Sequence, residues 1–329
     1  MKLRSQEEIM SKWSANAEPL VSIRCITFKH EKYIAKCLEG FLIQETNFPF
    51  EICIHDDASP DRTAEIIREY EAKYPKIIKP LYETENQWSK NDSSLTKIVD
   101  AMLTGKYIAM CEGDDYWIDS KKLQTQIDYL ESHPDCSVVV HHCIRLNDQT
   151  GNTEGTFPKF TEERDIPTEE IILGGGGLFG TNTMVYRREI TEYHKQAFWK
   201  VSPVGDFPTI LSCTHLGKVH FMPKAMSVYR IFSRGSWSST TLIGKNAFQK
   251  RSAHIEGCEQ SLRYYDEFTQ NKYSQAIHEK MDLNKFNLYW DFGMWKKLRK
   301  TSHYRNRSFI GKIKAICHCI LVKVKRKKL

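Results

Sequence analysis

Apolar and polar positions alternate in blocks along the first 145 residues, and the block lengths predict a repeating strand–helix order. Val21–Thr27 is a short apolar run and reads as a first strand. Within 30–44, apolar residues at 34, 38, 41 and 42 have helical spacing. Residues 51–55 read as a second strand, and the turn-rich Asp56-Asp57-Ala58-Ser59-Pro60-Asp61 then starts a helix over about 63–73. A third strand is expected at 77–82, a helix at 93–103 and a fourth strand at 107–111. Asp119 or Ser120 is placed to cap a helix over 121–131, and 136–143 is a further apolar strand. This order predicts an α/β fold around a mostly parallel, doubly wound sheet.

After residue 145 the pattern loosens. Residues 147–170 are polar and carry Gly151, Gly155 and Pro158. The four glycines at 174–177 read as a loop without P-loop or Rossmann spacing. A strand is expected at 181–186, a helix at 189–198, and another running from Val204-Gly205-Asp206-Phe207-Pro208 to Leu216. One or two strands follow at 220–229, then helices from 242 onward, with no internal repeat.

Composition narrows the class. With 40% hydrophobic and 27% charged residues, the bulk of the chain is expected to fold. Residues 1–20 hold Glu7, Glu8 and Glu18 and no continuous apolar segment, so no secretory signal is expected, and no run reaches transmembrane length. Ten cysteines without a Cys-x-x-Cys pair, several of them in apolar runs, read as reduced core residues and not as a disulfide frame or zinc site. The net charge of +7 is unevenly spread. Residues 296–329 hold 13 Lys and Arg and no acid; removing these 13 from 48 leaves 35 against 41 acidic side chains, a net of −6. An acidic body with a basic tail points to an anionic surface as a partner.

The chemistry gathers at strand exits. Cys111-Glu112-Gly113-Asp114-Asp115-Tyr116-Trp117 follows the fourth apolar run. Adjacent carboxylates there suit a hard divalent cation, Mg²⁺ or Mn²⁺, carrying a phosphate-bearing substrate. The other reading is a plain Gly-Asp-Asp turn. Asp56-Asp57 ends the second strand, about 60 residues earlier. Both pairs fall on the carboxyl rim of a parallel sheet, where such folds bind ligands.

Four ordered segments carry a resemblance: 21–27, then 51–61 with its Asp-Asp-Ala-Ser-Pro-Asp, then Gly105 through Asp114-Asp115, then Gly205-Asp206. Together they resemble the family 2 glycosyltransferases of the nucleotide-diphospho-sugar transferase (GT-A) fold, and Glu-Gly-Asp-Asp-Tyr-Trp resembles a bacterial branch that builds capsule, lipopolysaccharide or other surface glycans. The resemblance covers about 19–240. It implies a GT-A domain over 1–240, with a nucleotide-binding half at about 19–145 and an acceptor half at about 146–240, followed by a helical region over 241–329.

By that resemblance, Asp57 would accept the N3–H of a uracil ring, with Thr27 and Phe28 near the base, Asp56 beside it, and Asp61 shaping the turn. Asp115 would bind the metal and Asp114 the ribose or the metal shell. Asp206 would be the base of a single displacement that inverts the anomeric carbon. Tyr116, Trp117, Thr181 and Asn182 are candidates for the acceptor site. Two departures stand out: Phe28-Lys29-His30 where many relatives have Asn after the aromatic, and Phe232 where relatives often have His after Tyr-Arg. Arg230 and Arg234 are candidates to reach the diphosphate. The implied partners are a nucleotide-sugar donor and a glycan or lipid-linked acceptor. The alternatives are a sugar-nucleotide nucleotidyltransferase and a catalytically degenerate glycan-binding protein.

The tail, about 304–329, forms a second element. Phe309, Ile310, Ile313, Ile316, Cys317, Ile320, Leu321 and Val324 fall on one helical stripe, with Lys312, Lys314, Lys323 and Lys325 at its edges. That pattern suits a helix lying in the headgroups of an anionic membrane, against the alternative of a helix docked on the body. No nucleic-acid motif accompanies it. The resulting expectation is a cytoplasmic protein, peripheral on the inner face of the plasma membrane.

Overall fold

The computed structural model describes residues 3–90, 92–233, 236, 239, 241, 244 and 246–326. It divides into two compact units. The first comprises Met1–Pro167, Gly176–Lys195 and Ser212–Ser236; the second comprises Thr168–Gly175, Gln196–Leu211 and Trp237–Leu329. The boundary differs from the division at 240, because 168–175 and 196–211 group with the C-terminal helices.

The first unit is built on one sheet. Its strands are β1 Val21–Thr27, β2 Phe50–Asp56, β3 Ile78–Tyr82, β4 Tyr107–Met110, β5 Tyr116–Trp117, β6 Cys136–Asn147, β7 Thr153–Phe157, β8 Arg164–Ile166, β9 Val185–Arg187 and β10 Lys218–Ile231. The order is β3-β2-β1-β4-β9-β6-β10-β5, with β7 on β6 and β8 on β10. β3, β2, β1 and β4 run parallel. β9 then pairs antiparallel with both β4 and β6, so the sheet is mixed beyond its first four strands.

The centre of the parallel part, β2, β1 and β4, is buried on both faces, while β3 at its end is buried only at Ile78. Every residue of β2 and β4 is buried, which is why β4 reads as a continuous apolar run and β2 as an apolar one broken only by Glu51 before its polar end. Ile34, Leu38, Phe41 and Leu42 of the helix Ile34–Leu42 pack into the same core. Gly40 lets that helix approach β5 closely: a Cβ there would lie 2.7 Å from the Trp117 amide nitrogen. The helix therefore presses on the strand that follows the acidic motif.

The second unit is helical. Its long elements are Ala247–Phe268, Ser274–Asp291 and Phe309–Arg326. The glycine run at 174–177 is not an open loop: it ends the helix Thr168–Gly174 and continues as a 3-10 turn. Lys280 Nζ donates to the carbonyls of Leu173 and Gly174 at 2.9 and 3.2 Å. Arg234 and the last residues 327–329 lie outside the described residues.

Candidate functional site

The carboxyl ends of β1, β2 and β4 place three loops side by side. Asp57 N–H donates to the Thr27 carbonyl at 3.0 Å, and Gly113 N–H to the Ile26 carbonyl at 3.0 Å. Lys29 N–H donates to Ser59 Oγ at 2.9 Å and His30 N–H to Thr63 Oγ1 at 2.8 Å. Asp61 accepts from Thr63 and, at 3.4 Å, from Glu31 N–H. The rim is thus laced before any ligand arrives.

The two members of each Asp pair do different work. Asp57 turns inward: its oxygens accept the amides of Gln87 and Trp88 at 2.6 and 3.1 Å, and it shapes the 86–88 turn. Asp56 accepts Ser59 N–H at 3.2 Å through one oxygen, while its Oδ1 has no partner among the described residues. Burial raises the Asp56 carboxyl above its ordinary range. Asp56 lines a cavity of about 480 Å³ with Ser59, Asp61, Arg68, Tyr82 and Glu83. The Arg68 guanidinium covers the Tyr82 ring at 4.2 Å. The pocket thus presents carboxylate and hydroxyl oxygens, with its one aromatic ring covered by Arg68.

The second pair shows the same division. Asp115 is 1% exposed. Its oxygens accept Asn182 Nδ2 at 3.1 Å and Arg230 N–H at 2.7 Å. Burial, then the neighbouring Asp114, hold its carboxyl well above the usual range. Asp114 is half-buried and accepts Ser233 Oγ at 2.7 Å. Asp114 is therefore the more open carboxylate of this pair. Gly113 is required beneath it, since a Cβ there would come within 2.8 Å of Thr27 Oγ1 and His30 Nδ1.

Several expected contacts resolve differently. Trp117 is 1% exposed, donates Nε1–H to the Asn182 carbonyl at 3.1 Å and meets Phe41 edge-on, so it is core and gives no stacking surface to an acceptor. Asn182 is buried and serves Asp115, not an acceptor pocket. Thr181 and Tyr116 are half-exposed. Arg230 lies over the rings of Tyr33 and Tyr116 at 5.0 and 4.6 Å and donates to the Asp114 carbonyl, which fixes the acidic loop. Phe232, at φ 61°, turns the chain so that Ser233 faces Asp114.

Sequence reasoning missed Ser233 and His30. His30 Nδ1 and Thr27 Oγ1 are buried without partners among the described residues, beside the acidic loop. Burial lowers the His30 imidazole, against the pull of Asp114, Asp61 and Asp56. The signal for His30 was its place directly after the first strand. Asp206 belongs to the second unit, where it opens the helix Asp206–Leu216 and accepts Phe207 N–H at 2.7 Å. Burial lifts its carboxyl to about 6.

Residues 22–193 match the family model for glycosyl transferase family 2. The chain belongs to that family. This family 2 member is 35% identical over 219 residues to the uncharacterized protein Rv1520 of Mycobacterium tuberculosis (strain ATCC 25618 / H37Rv), a match covering 67% of this chain and 61% of the relative. The chain thus spans about 61% of the length of that relative. It is 26% identical to the uncharacterized glycosyltransferase alr2836 of Nostoc sp., over 72% of each chain. Among solved structures, S. aureus TarS 1-349 in complex with UDP-GlcNAc is similar with a TM-score of 0.56 at 16% identity, covering 94% of this chain and 92% of TarS. The mannosyltransferase PcManGT of Pyrobaculum calidifontis, in complex with GDP-Man and Mn²⁺, has a TM-score of 0.52 at 14% identity, covering 94% and 87%. At these identities the likeness shows the GT-A fold of this family 2 member.

Proposed function

We propose that this family 2 member moves a sugar from a nucleotide-sugar donor, a UDP-sugar, to a hydroxyl of a glycan or lipid-linked glycan during assembly of a bacterial surface polysaccharide. The observation that carries the reading is the unpartnered Asp56 oxygen in a polar pocket at the carboxyl rim, with Asp114 on the neighbouring loop. In this reading Asp56, not Asp57, accepts from the base, because the Asp57 oxygens already hold Gln87 and Trp88. Thr27 and His30 lie beside Gly113 of the acidic loop.

A divalent cation, Mn²⁺ or Mg²⁺, fits the donor set. Such an ion takes one or two carboxylates and completes its shell with phosphate oxygens. Asp114 suits that role better than Asp115, whose oxygens face inward. Among the described residues no group of three or more ligating side chains could hold a cation alone, so the donor's phosphates would be needed. When bound, the ion neutralises charge on the departing diphosphate.

The chain's own part is proton transfer and orientation. Asp206 takes the acceptor proton as the hydroxyl attacks, a contribution of roughly 10²–10⁴-fold. A single displacement inverts the anomeric carbon and needs no covalent enzyme intermediate. In this reading the reaction runs at the cytoplasmic face of the plasma membrane.

Calorimetric titration with UDP, with and without Mn²⁺, tests the donor site. Mn²⁺ should tighten UDP binding at least tenfold in the wild type and have no effect in Asp114→Asn. UDP affinity that ignores Mn²⁺ would remove the cation, and no binding of UDP or GDP would remove the donor class.

A further inference from the structure

The helix Phe309–Arg326 has two apolar sides, and only one is used within its unit. Ala315 and Cys319 are buried in a small cluster with Phe286 and Leu298. The His318 ring stacks on Trp290 with centroids 4.1 Å apart. Val322 abuts Gly293, where a Cβ would come within 3.1 Å of its Cγ1. At about 100° per residue, positions 315, 318, 319 and 322 share one face. The helix is anchored through that face.

The opposite face is bare. Phe309, Ile310, Ile313, Ile316, Ile320, Leu321 and Val324 are exposed, from 38% at Ile316 to 79% at Phe309. Ten large apolar side chains are exposed among the described residues, and these seven are the only ones that share an element. The same angular spacing puts Lys312 and Lys323 along one edge of the stripe and Lys314 along the other. A contiguous apolar face rimmed by charge marks an interaction surface, not ordinary scatter.

We propose that this face docks on an anionic lipid bilayer, with the helix lying in the plane of the headgroups. Charge selects the occupant. Residues 296–329 carry 13 Lys and Arg and no acid, so a second copy would bring like charges together. A nucleic acid would satisfy the lysines and leave the phenylalanine, isoleucines and leucine in water. Anionic lipid answers both: acyl chains cover the stripe and headgroup phosphates meet its edges. Eighteen residues span about 27 Å. No helix among the described residues is long and apolar enough to cross a membrane, so the helix lies flat. The inference goes beyond the transferase reading and does not depend on it.

Flotation of the full chain with vesicles tests this without any donor. The wild type should float with phosphatidylcholine–phosphatidylglycerol vesicles at least tenfold more than with phosphatidylcholine alone, and less as salt is raised. The pair Ile313→Asp and Ile320→Asp should abolish flotation with an unchanged melting temperature, since both side chains are exposed. Lys312→Gln with Lys314→Gln and Lys323→Gln should lower only the anionic-lipid binding. Wild type that stays unbound with both vesicles overturns the proposal, as does equal flotation of the Asp pair. A wild-type dimer that the Asp pair converts to monomer, without vesicle binding, assigns the face to a second copy. A lowered melting temperature in the Asp pair shows the stripe packing inward and also overturns it. Nucleotide titration reads the transferase assignment separately.

Discussion

Asn182 Nδ2 donates to Asp115 Oδ2 at 3.1 Å within the core of the sheet unit. The same amide group reaches the Val228 carbonyl at 2.9 Å, and Asn182 Oδ1 accepts Ser227 Oγ at 2.9 Å. One side chain from the 181–183 turn thus ties the acidic loop to β10. Asn182→Ala should destabilise the protein by about 1–3 kcal/mol, because a buried carboxylate loses its donor. Urea unfolding measures this, and a change below the error of the fit would show that the carboxylate finds another partner.

Asp56 and Asp57 should separate in their effects. Asp57→Ala leaves the Gln87 and Trp88 amides without their acceptor and should lower the melting temperature by several degrees. Asp56→Asn should leave melting nearly unchanged and weaken UDP binding tenfold or more. The reverse pattern in paired thermal and calorimetric measurements would return the base-reading role to Asp57.

Asp206→Asn should keep donor binding and reduce transfer by roughly 10²–10⁴-fold. A base must be deprotonated to act, and burial lifts this carboxyl to about 6. Turnover should therefore rise with pH with its midpoint at about 6 and level off roughly one unit above it. A flat profile from pH 5 to 8, with saturating donor and acceptor, would exclude Asp206 as the proton acceptor.

Lys122 is buried, with Nζ donating to Gln126 Oε1 at 2.8 Å and lying 4.1 Å from the centroid of the Trp117 ring. Burial lowers its ammonium to about 7. The unfolded chain holds this proton up to about 10.4. Between those values the unfolded state binds more protons, so the contribution of Lys122 to stability grows as pH rises. Lys122→Met should flatten the rise in unfolding free energy between pH 7 and 10. Identical pH dependence in wild type and variant would show the lysine charged in the folded protein.

β1, β2 and β4 were legible because burial leaves mostly apolar runs at 21–27, 50–54 and 107–110, whereas β3, at the end of the sheet, is buried only at Ile78. β5 was not legible, since Tyr116–Trp117 is two residues long and its partner, Ser227–Val228, lies far along the chain. β10 runs from Lys218 to Ile231 through register shifts around Met222–Ser227, which blurred the period of two. Residues 181–183 form a 3-10 turn instead of a strand, and that turn aims Asn182 inward.

The acidic clusters were legible as clusters only. Asp56 and Asp57 are chemically identical, and the backbone decides which one meets Gln87 and which one meets the cavity. The same holds for Asp114 and Asp115, whose surroundings are set by Asn182 and Arg230, remote in sequence. The tail stripe was readable from its helical period. Its anchoring face, made of Ala315, His318, Cys319 and Val322, needed the partners Trp290 and Gly293 to be seen.

Seven of the ten thiols sit inside the sheet unit, all buried; Cys319 is buried as well, Cys258 is half-covered, and Cys317 alone is open to solvent, on the bare side of the last helix. Burial makes most of the others poor nucleophiles: the Cys111 thiol, for example, is pushed up to about 12. A maleimide dye added to the untouched protein should therefore label one position. That gives the native chain a built-in reporter whose emission colour reads the polarity around residue 317.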